Sequence, residues 1–317
     1  MNEYRSIYEL IAANITDDRL PDDFSLTKDE EESDPNKLKW ADGAMDGVSM
    51  YHMGFPKITD EHMQIISDAF RLLDDPARVM QKMAELFTDY SPVVFVDTIQ
   101  QYIMDNSDKL DIHKIVDLVF RCLSSKFRDM VKLGMIILEL LSEPDEKMKD
   151  VVRTLGLCDE ITLFAVFNML NWTNGNDEVF ALAKKVRGWG RIHAVARMEP
   201  ANDEIKAWLL HEGIQNKVLA EYSAPDVYEK VGIASLLKGD ITDEQFGDTA
   251  KVLSALFAEG PFAGIRALKN EEAEEMLSDF LKQAEIHRNA DISALLGMIS
   301  ARYESLSDKC NALQISE

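Results

Sequence analysis

Cysteine is scarce in this sequence: Cys122, Cys158 and Cys310 are the only three in 317 residues. They are too scattered for a disulfide framework, and none forms a CxxC pair, so reduced thiols in a cytoplasm are the expectation. Positive charge is also short, with 34 Lys and Arg against 57 Asp and Glu and a formal net charge of −23. Phosphate contacts need Lys or Arg, and an acidic body repels polyanions at long range. Nucleic acid and anionic membrane surfaces are therefore excluded as expected partners. No apolar window approaches the ~18 uncharged residues that a bilayer span needs. The opening MNEYRSIYELIAANITDD has acids within its first ten residues and no apolar core of signal-peptide kind.

Several chemical signatures are missing as well. There is no GxGxxG after a strand, no P-loop, no GxSxG elbow, and no HxH or HExxH spacing among the six histidines. His211-Glu212 lacks the second same-face histidine of a metalloprotease helix. No cofactor is expected. Sustained period-2 alternation with hairpin turns is absent too, which removes most β architectures.

What is present is helical periodicity with sharp punctuation. Ile7, Tyr8, Ile11 and Ile15 make a first stripe. From Thr59 onward the 3.6-residue spacing hardly stops, with Asp75-Pro76, Ser91-Pro92, Asp111 and Pro144 at helix starts. The stretch Gly188–Tyr222 is the clearest unit. Gly188 and Gly190 flank Trp189 at a helix start, Pro200 closes that helix, Asn202 stands as the next N-cap and Gly213 ends it. Thr242 with Gln245 reads as a capping box.

Between these parts lie two different segments. TDDRLPDDFSLTKDEEESDPNK, starting at Thr16, is acidic and unpatterned, and is expected to be a solvated loop. Trp40–Pro56 is apolar but broken by Gly43, Gly47 and Gly54. It is expected to be irregular and draped on the first helices.

First helices near residues 126, 158 and 188 precede second helices near 146, 176 and 203, a period of roughly 30 residues. Gly134, Ala165 and Ala194 fall at corresponding places. On this spacing, and on RIHAVARMEPANDEIKAWLL, residues 90–240 resemble HEAT or armadillo-type repeats. That resemblance implies an all-α right-handed superhelix, a solenoid whose inner helices present a groove for a protein or peptide. The domains expected are residues 1–57 as an irregular N-terminal segment, 58–310 as the repeats and 311–317 as a tail. More loosely, the whole chain resembles a bacterial family that has carried the label limonene hydroxylase. A hydroxylase needs an oxygen-activating cofactor, for which no motif is present.

Candidate site residues fall into two sets. Trp189, Arg191, His193, Arg197 and Trp208 could line the ligand groove. Arg191 sits on the apolar side of its helix and either pairs with Glu199, Asp203 or Glu204 or grips an anionic ligand. His193 shares the opposite, polar face with Arg197. Asp42, Asp46 and His52 are the metal-ligating set, two carboxylates and an imidazole beside flexible glycines, although their spacing matches no calcium loop. Local turn bonding is the alternative for both aspartates. The expected function is non-enzymatic binding of a protein or peptide, with a basic segment favoured by the acidic surface. The alternative is a small-molecule enzyme or binder with a pocket between the N-terminal segment and the repeats.

Overall fold

A computed structural model of the chain describes residues 5–26, 40–260, 263–288 and 291–314. The acidic run 27–39 and the end of the expected tail, 315–317, lie outside the described residues. Among the described residues the regular structure is helical, and the only β feature is the isolated bridge between Thr16 and Arg19. The chain divides into two compact units, Met1–Ala194 and Val195–Glu317. The expected N-terminal segment therefore belongs to the same unit as the helices it packs on.

The first ten helices are α1 Ile7–Asn14, α2 Ala44–Val48, α3 Asp60–Phe70, α4 Pro76–Met83, α5 Val96–Asp105, α6 Ile112–Leu123, α7 Arg128–Leu138, α8 Glu146–Gly156, α9 Asp159–Leu170 and α10 Gly175–Ala183. The division between units falls inside α11, Trp189–Arg197. Then come α12 Asp203–Glu212, α13 Ala224–Val231, α14 Ile233–Leu236, α15 Asp243–Ala258, α16 Asn270–Ile286, α17 Ser293–Arg302 and α18 Ser307–Gln314. No helix of the described residues is long and apolar enough to cross a membrane.

The helix starts are fixed by the residues that the sequence marks. Asp75, Asp111 and Asn202 each accept a backbone N–H from the first turn of their helices. Thr242 and Gln245 close a reciprocal capping box on α15. VVF of Pro92–Phe95 forms a 3-10 turn that runs into α5, as a Ser-Pro start requires. Pairs α7–α8, α9–α10 and α11–α12 recur at the expected interval of roughly 30 residues.

In the first unit α7 is the interior rod, packing on α6, α5 and α9. Every residue from Met130 to Leu138 is buried. Gly134 lets α6 approach, because a Cβ there would crowd the Cys122 side chain at 2.9 Å. The α8 helix packs on both α9 and α1. In the second unit α15 is central and packs on α12, α13 and α17, while α18 packs on α16 and α17.

The segment after Trp40 is not irregular, which corrects the sequence expectation. Gly43, in the left-handed region at φ 75°, caps α2 at its N-terminus. A π-helical turn, Ser49–Met53, follows, and Gly54 at φ 67° ends it. Gly47 lies inside α2 and does not break it; a Cβ at that position would run into the Trp189 indole. Glycine serves close approach here, and its helix cost of about 1 kcal/mol is offset by packing. Residues 43–50 pack inward as expected of so apolar a stretch, whereas Met53 and Phe55 stay exposed.

Candidate functional site

Two features of the first unit depart from the usual placing of charge outside and apolar surface inside. The first is a buried ionic centre. Lys132 is a lone cation among the apolar residues of α7 and is 2 % exposed. Its Nζ donates to Asp46 Oδ2 of α2 at 2.8 Å and to Glu160 Oε1 of α9 at 2.6 Å. Ser91 Oγ donates to the other oxygen of Asp46. The Gly43 N–H donates to Glu160 Oε2 at 2.7 Å, and Arg128 approaches Glu160 Oε1 at 3.7 Å. The α2 helix is thus tied through Asp46 and Gly43 to two interior helices.

Burial pushes the Asp46 carboxyl up; Lys132 opposes that and Glu160 adds to it. Burial also draws Lys132 down, but Asp46 and Glu160 outweigh it and hold the ammonium above the ordinary lysine range. For Glu160 burial acts upward, and Lys132, Arg128 and the Gly43 amide overcome it to hold the carboxyl below its usual value. The centre therefore contains a firmly charged lysine, a firmly ionised glutamate and a third group that takes a proton more readily. Lys132 stays protonated, burial pushes the Cys122 thiol up to about 12, and burial with nearby Asp42 pushes Cys158 up as well.

The residues singled out from sequence land in this interior more than on a groove. Trp189 is 5 % exposed and Tyr51 stacks on it with ring centroids 6.3 Å apart. Tyr51 also stacks on His193 at 5.8 Å, and its hydroxyl meets His193 Nδ1 at 3.4 Å. His193 is fully buried, which corrects its assignment to a polar face: α11 is covered on both sides, so its wheel has no solvent side at that turn. Arg191 is also buried, and its Nε donates to the Val186 carbonyl at 2.9 Å. Trp189, Arg191 and His193 are interior residues. Arg197 and Trp208 belong to the second unit, both half-buried.

Of the metal-ligating set, Asp42 accepts the Leu26 N–H at 2.9 Å, a bond across 16 residues of chain and not the local turn bonding weighed as its alternative role. Asp46 spends both oxygens on Lys132 and Ser91, and His52 is exposed. Among the described residues these three do not converge on one ion position. Lys132, Glu160 and Ser91 escaped sequence reasoning. The usable signal was Lys132 inside the apolar run Met130–Leu138, since a buried charge must find a partner.

The second feature is a groove beside α6. This helix buries Ile115, Leu118, Val119, Cys122 and Leu123. It carries another apolar row one turn apart at Ile112, Val116 and Phe120, and Ile112 and Phe120 are each 54 % exposed. The row forms one wall of a groove of about 440 Å³ whose other side comes from Leu140, Leu141, Pro144 and Met148. Its one charged lining residue is acidic, Asp145. The signal was again in the sequence, as apolar residues at i, i+4 and i+8 beside the stripe already counted. The sequence matches no family model, and neither a curated protein nor a solved structure matches it.

Proposed function

We propose that this chain is a non-catalytic helical-repeat protein of HEAT/armadillo kind that docks an amphipathic segment of a partner protein beside α6. The observation that carries the reading is the second apolar row of α6, left uncovered along a groove with apolar walls. Large exposed apolar patches with polar rims mark partner surfaces, and amphipathic helices seat i, i+4 and i+7 anchors in such grooves. The acidic Asp145, the exposed Asp111 and Asp117, and the net charge of −23 favour a partner whose polar face is basic. The recurrence of helix pairs and the packing of α7 on α9 support the repeat architecture.

The test uses the whole chain and a labelled amphipathic helical peptide with leucines on one face and lysines on the other. Binding is expected in the micromolar range, weakened about tenfold or more by Phe120→Asp and by glutamates in place of the lysines. Equal binding by the variant, or no preference for the basic peptide, overturns the proposal.

A second reading, a small-molecule site at the seam of the N-terminal segment, is favoured by one observation. The α2 segment brings Asp46 onto Lys132, Gly47 onto Trp189 and Tyr51 onto His193 within a few turns. Elemental analysis and an absorption spectrum of the purified protein test it; a stoichiometric metal or a visible chromophore absent from a Lys132→Met variant would support it.

A further inference from the structure

The geometry points to a divalent transition-metal site on the second unit, formed by His211, Glu244 and Asp248. His211 lies in the last turn of α12, which packs on α15. Glu244 and Asp248 are four residues apart on α15, so both carboxylates leave one face of that helix. His211 Nδ1 is 2.6 Å from Asp248 Oδ2 and 3.8 Å from Glu244 Oε1. One donor atom from each residue lies within 4.8 Å of the others. An ion with ligand bonds of about 2.1 Å fits among them once the Nδ1–Oδ2 separation opens by about 0.8 Å, to the roughly 3.4 Å between tetrahedral ligands.

Two further observations separate this cluster from ordinary surface acids. Asp248 is 4 % exposed, and its Oδ1 accepts from Lys251 Nζ at 2.8 Å, which leaves Oδ2 aimed at His211. The other ring nitrogen of His211 faces Glu212 Oε1 at 3.9 Å. A ligating imidazole typically donates its other N–H to such a carboxylate, and Glu212 would have to close by about 1 Å to accept it. An imidazole with two carboxylates suits zinc, cobalt, manganese or ferrous iron, and suits calcium or magnesium poorly. Three protein ligands, with His211 about half and Glu244 mostly exposed, leave the remaining positions to water. The site is independent of the α6 groove and stands or falls apart from it.

The experiment titrates Zn²⁺ by calorimetry, and Co²⁺ by its visible absorption, into the chelator-treated full-length chain. A saturable site with one nitrogen ligand is expected, weakened about tenfold or more in His211→Ala and Asp248→Asn. Glu244→Gln, at an exposed position, guards against loss of fold and should weaken Zn²⁺ as well. Glu275→Gln, on the acidic exterior of α16, should leave binding unchanged. Absence of a saturable site would overturn the proposal and leave His211 and Asp248 as a plain ion pair between two helices. Binding that survives in all three site variants would overturn it equally, assigning Zn²⁺ to the acidic surface at large.

Discussion

Replacing Lys132 by Met tests the buried centre most directly. Met matches the length of the lysine stem and keeps the packing against Phe164, whose ring centroid lies 5.7 Å from Nζ. What it removes is the charge between Asp46 and Glu160. At an effective dielectric near 20, a unit pair at about 2.7 Å interacts by roughly 6 kcal/mol, much of which offsets desolvation. Removing one partner of a buried pair typically costs about 3–5 kcal/mol, because the other charge is left uncompensated. Here two carboxylates are left, although Ser91, Arg128 and the Gly43 amide still serve them. We therefore expect about 3–5 kcal/mol, out of the ~5–15 kcal/mol that holds a typical domain together. The sign with pH follows. In the variant Asp46 loses the group that opposes its upward shift. Its folded pKa then lies further above the unfolded value, so the penalty is full at alkaline pH and fades as pH falls through the raised pKa. Urea unfolding followed by circular dichroism at pH 8 and pH 6 measures both effects. The triple change Asp46→Asn, Lys132→Met, Glu160→Gln should recover most of the loss, since neutral groups carry no unpaired charge. A single-variant cost below about 1 kcal/mol, or a penalty that widens as pH falls, would refute the account.

Three other outcomes follow from the same structure. Gly47→Ala should destabilise by about 1–3 kcal/mol and change the Trp fluorescence, because its Cβ meets the Trp189 ring. Gly297→Ala, at an open position inside α17, should instead stabilise by up to about 1 kcal/mol, and a urea midpoint that drops would contradict the packing described. Burial raises Asp42, Asp129, Glu139 and Asp226 above their usual range. A raised acid binds protons more readily folded than unfolded, so these four add stability as pH falls toward their unfolded values near 4; Asn or Gln in their places should remove that gain, and a pH profile unchanged in that variant would contradict the assignment.

The helices were legible because their signals are local. Asp75, Asp111, Asn202 and Thr242 each cap as their spacing indicates, and no long-range fact is needed to place them. The roughly 30-residue recurrence of helix pairs was legible for the same reason. Gly47 was misjudged because its role depends on Trp189, 142 residues further on in the chain. His193 was misjudged because a helical wheel assigns a polar face without knowing whether that face meets solvent. Lys132 and Glu160 were invisible for a related reason: each is a charged residue on a largely apolar helix, and its partners meet only when α2 brings in Asp46, at 2.8 Å from the ammonium.

The two misplaced sets of side chains differ in a way that assigns their roles. Lys132 is polar and buried, but Asp46, Glu160 and the Phe164 ring compensate it within the same unit. Its cost is met by the chain itself, so fold stability is enough to explain it. Ile112 and Phe120 are apolar and half exposed, and among the described residues no side chain covers their outer faces. Burying a large apolar side chain is worth about 1.5–3 kcal/mol in full, so covering the exposed halves of these two would yield roughly 2 kcal/mol together. That free energy is realised by nothing in the fold and is available to a partner. Isolated exposed apolar residues need no such explanation, but a row one turn apart along a groove does. On the proposed function the ionic centre serves stability and the α6 row serves recognition. Phe120→Asp should then leave the urea midpoint nearly unchanged while weakening peptide binding about tenfold or more, and a large loss of stability in that variant would place Phe120 in the core instead.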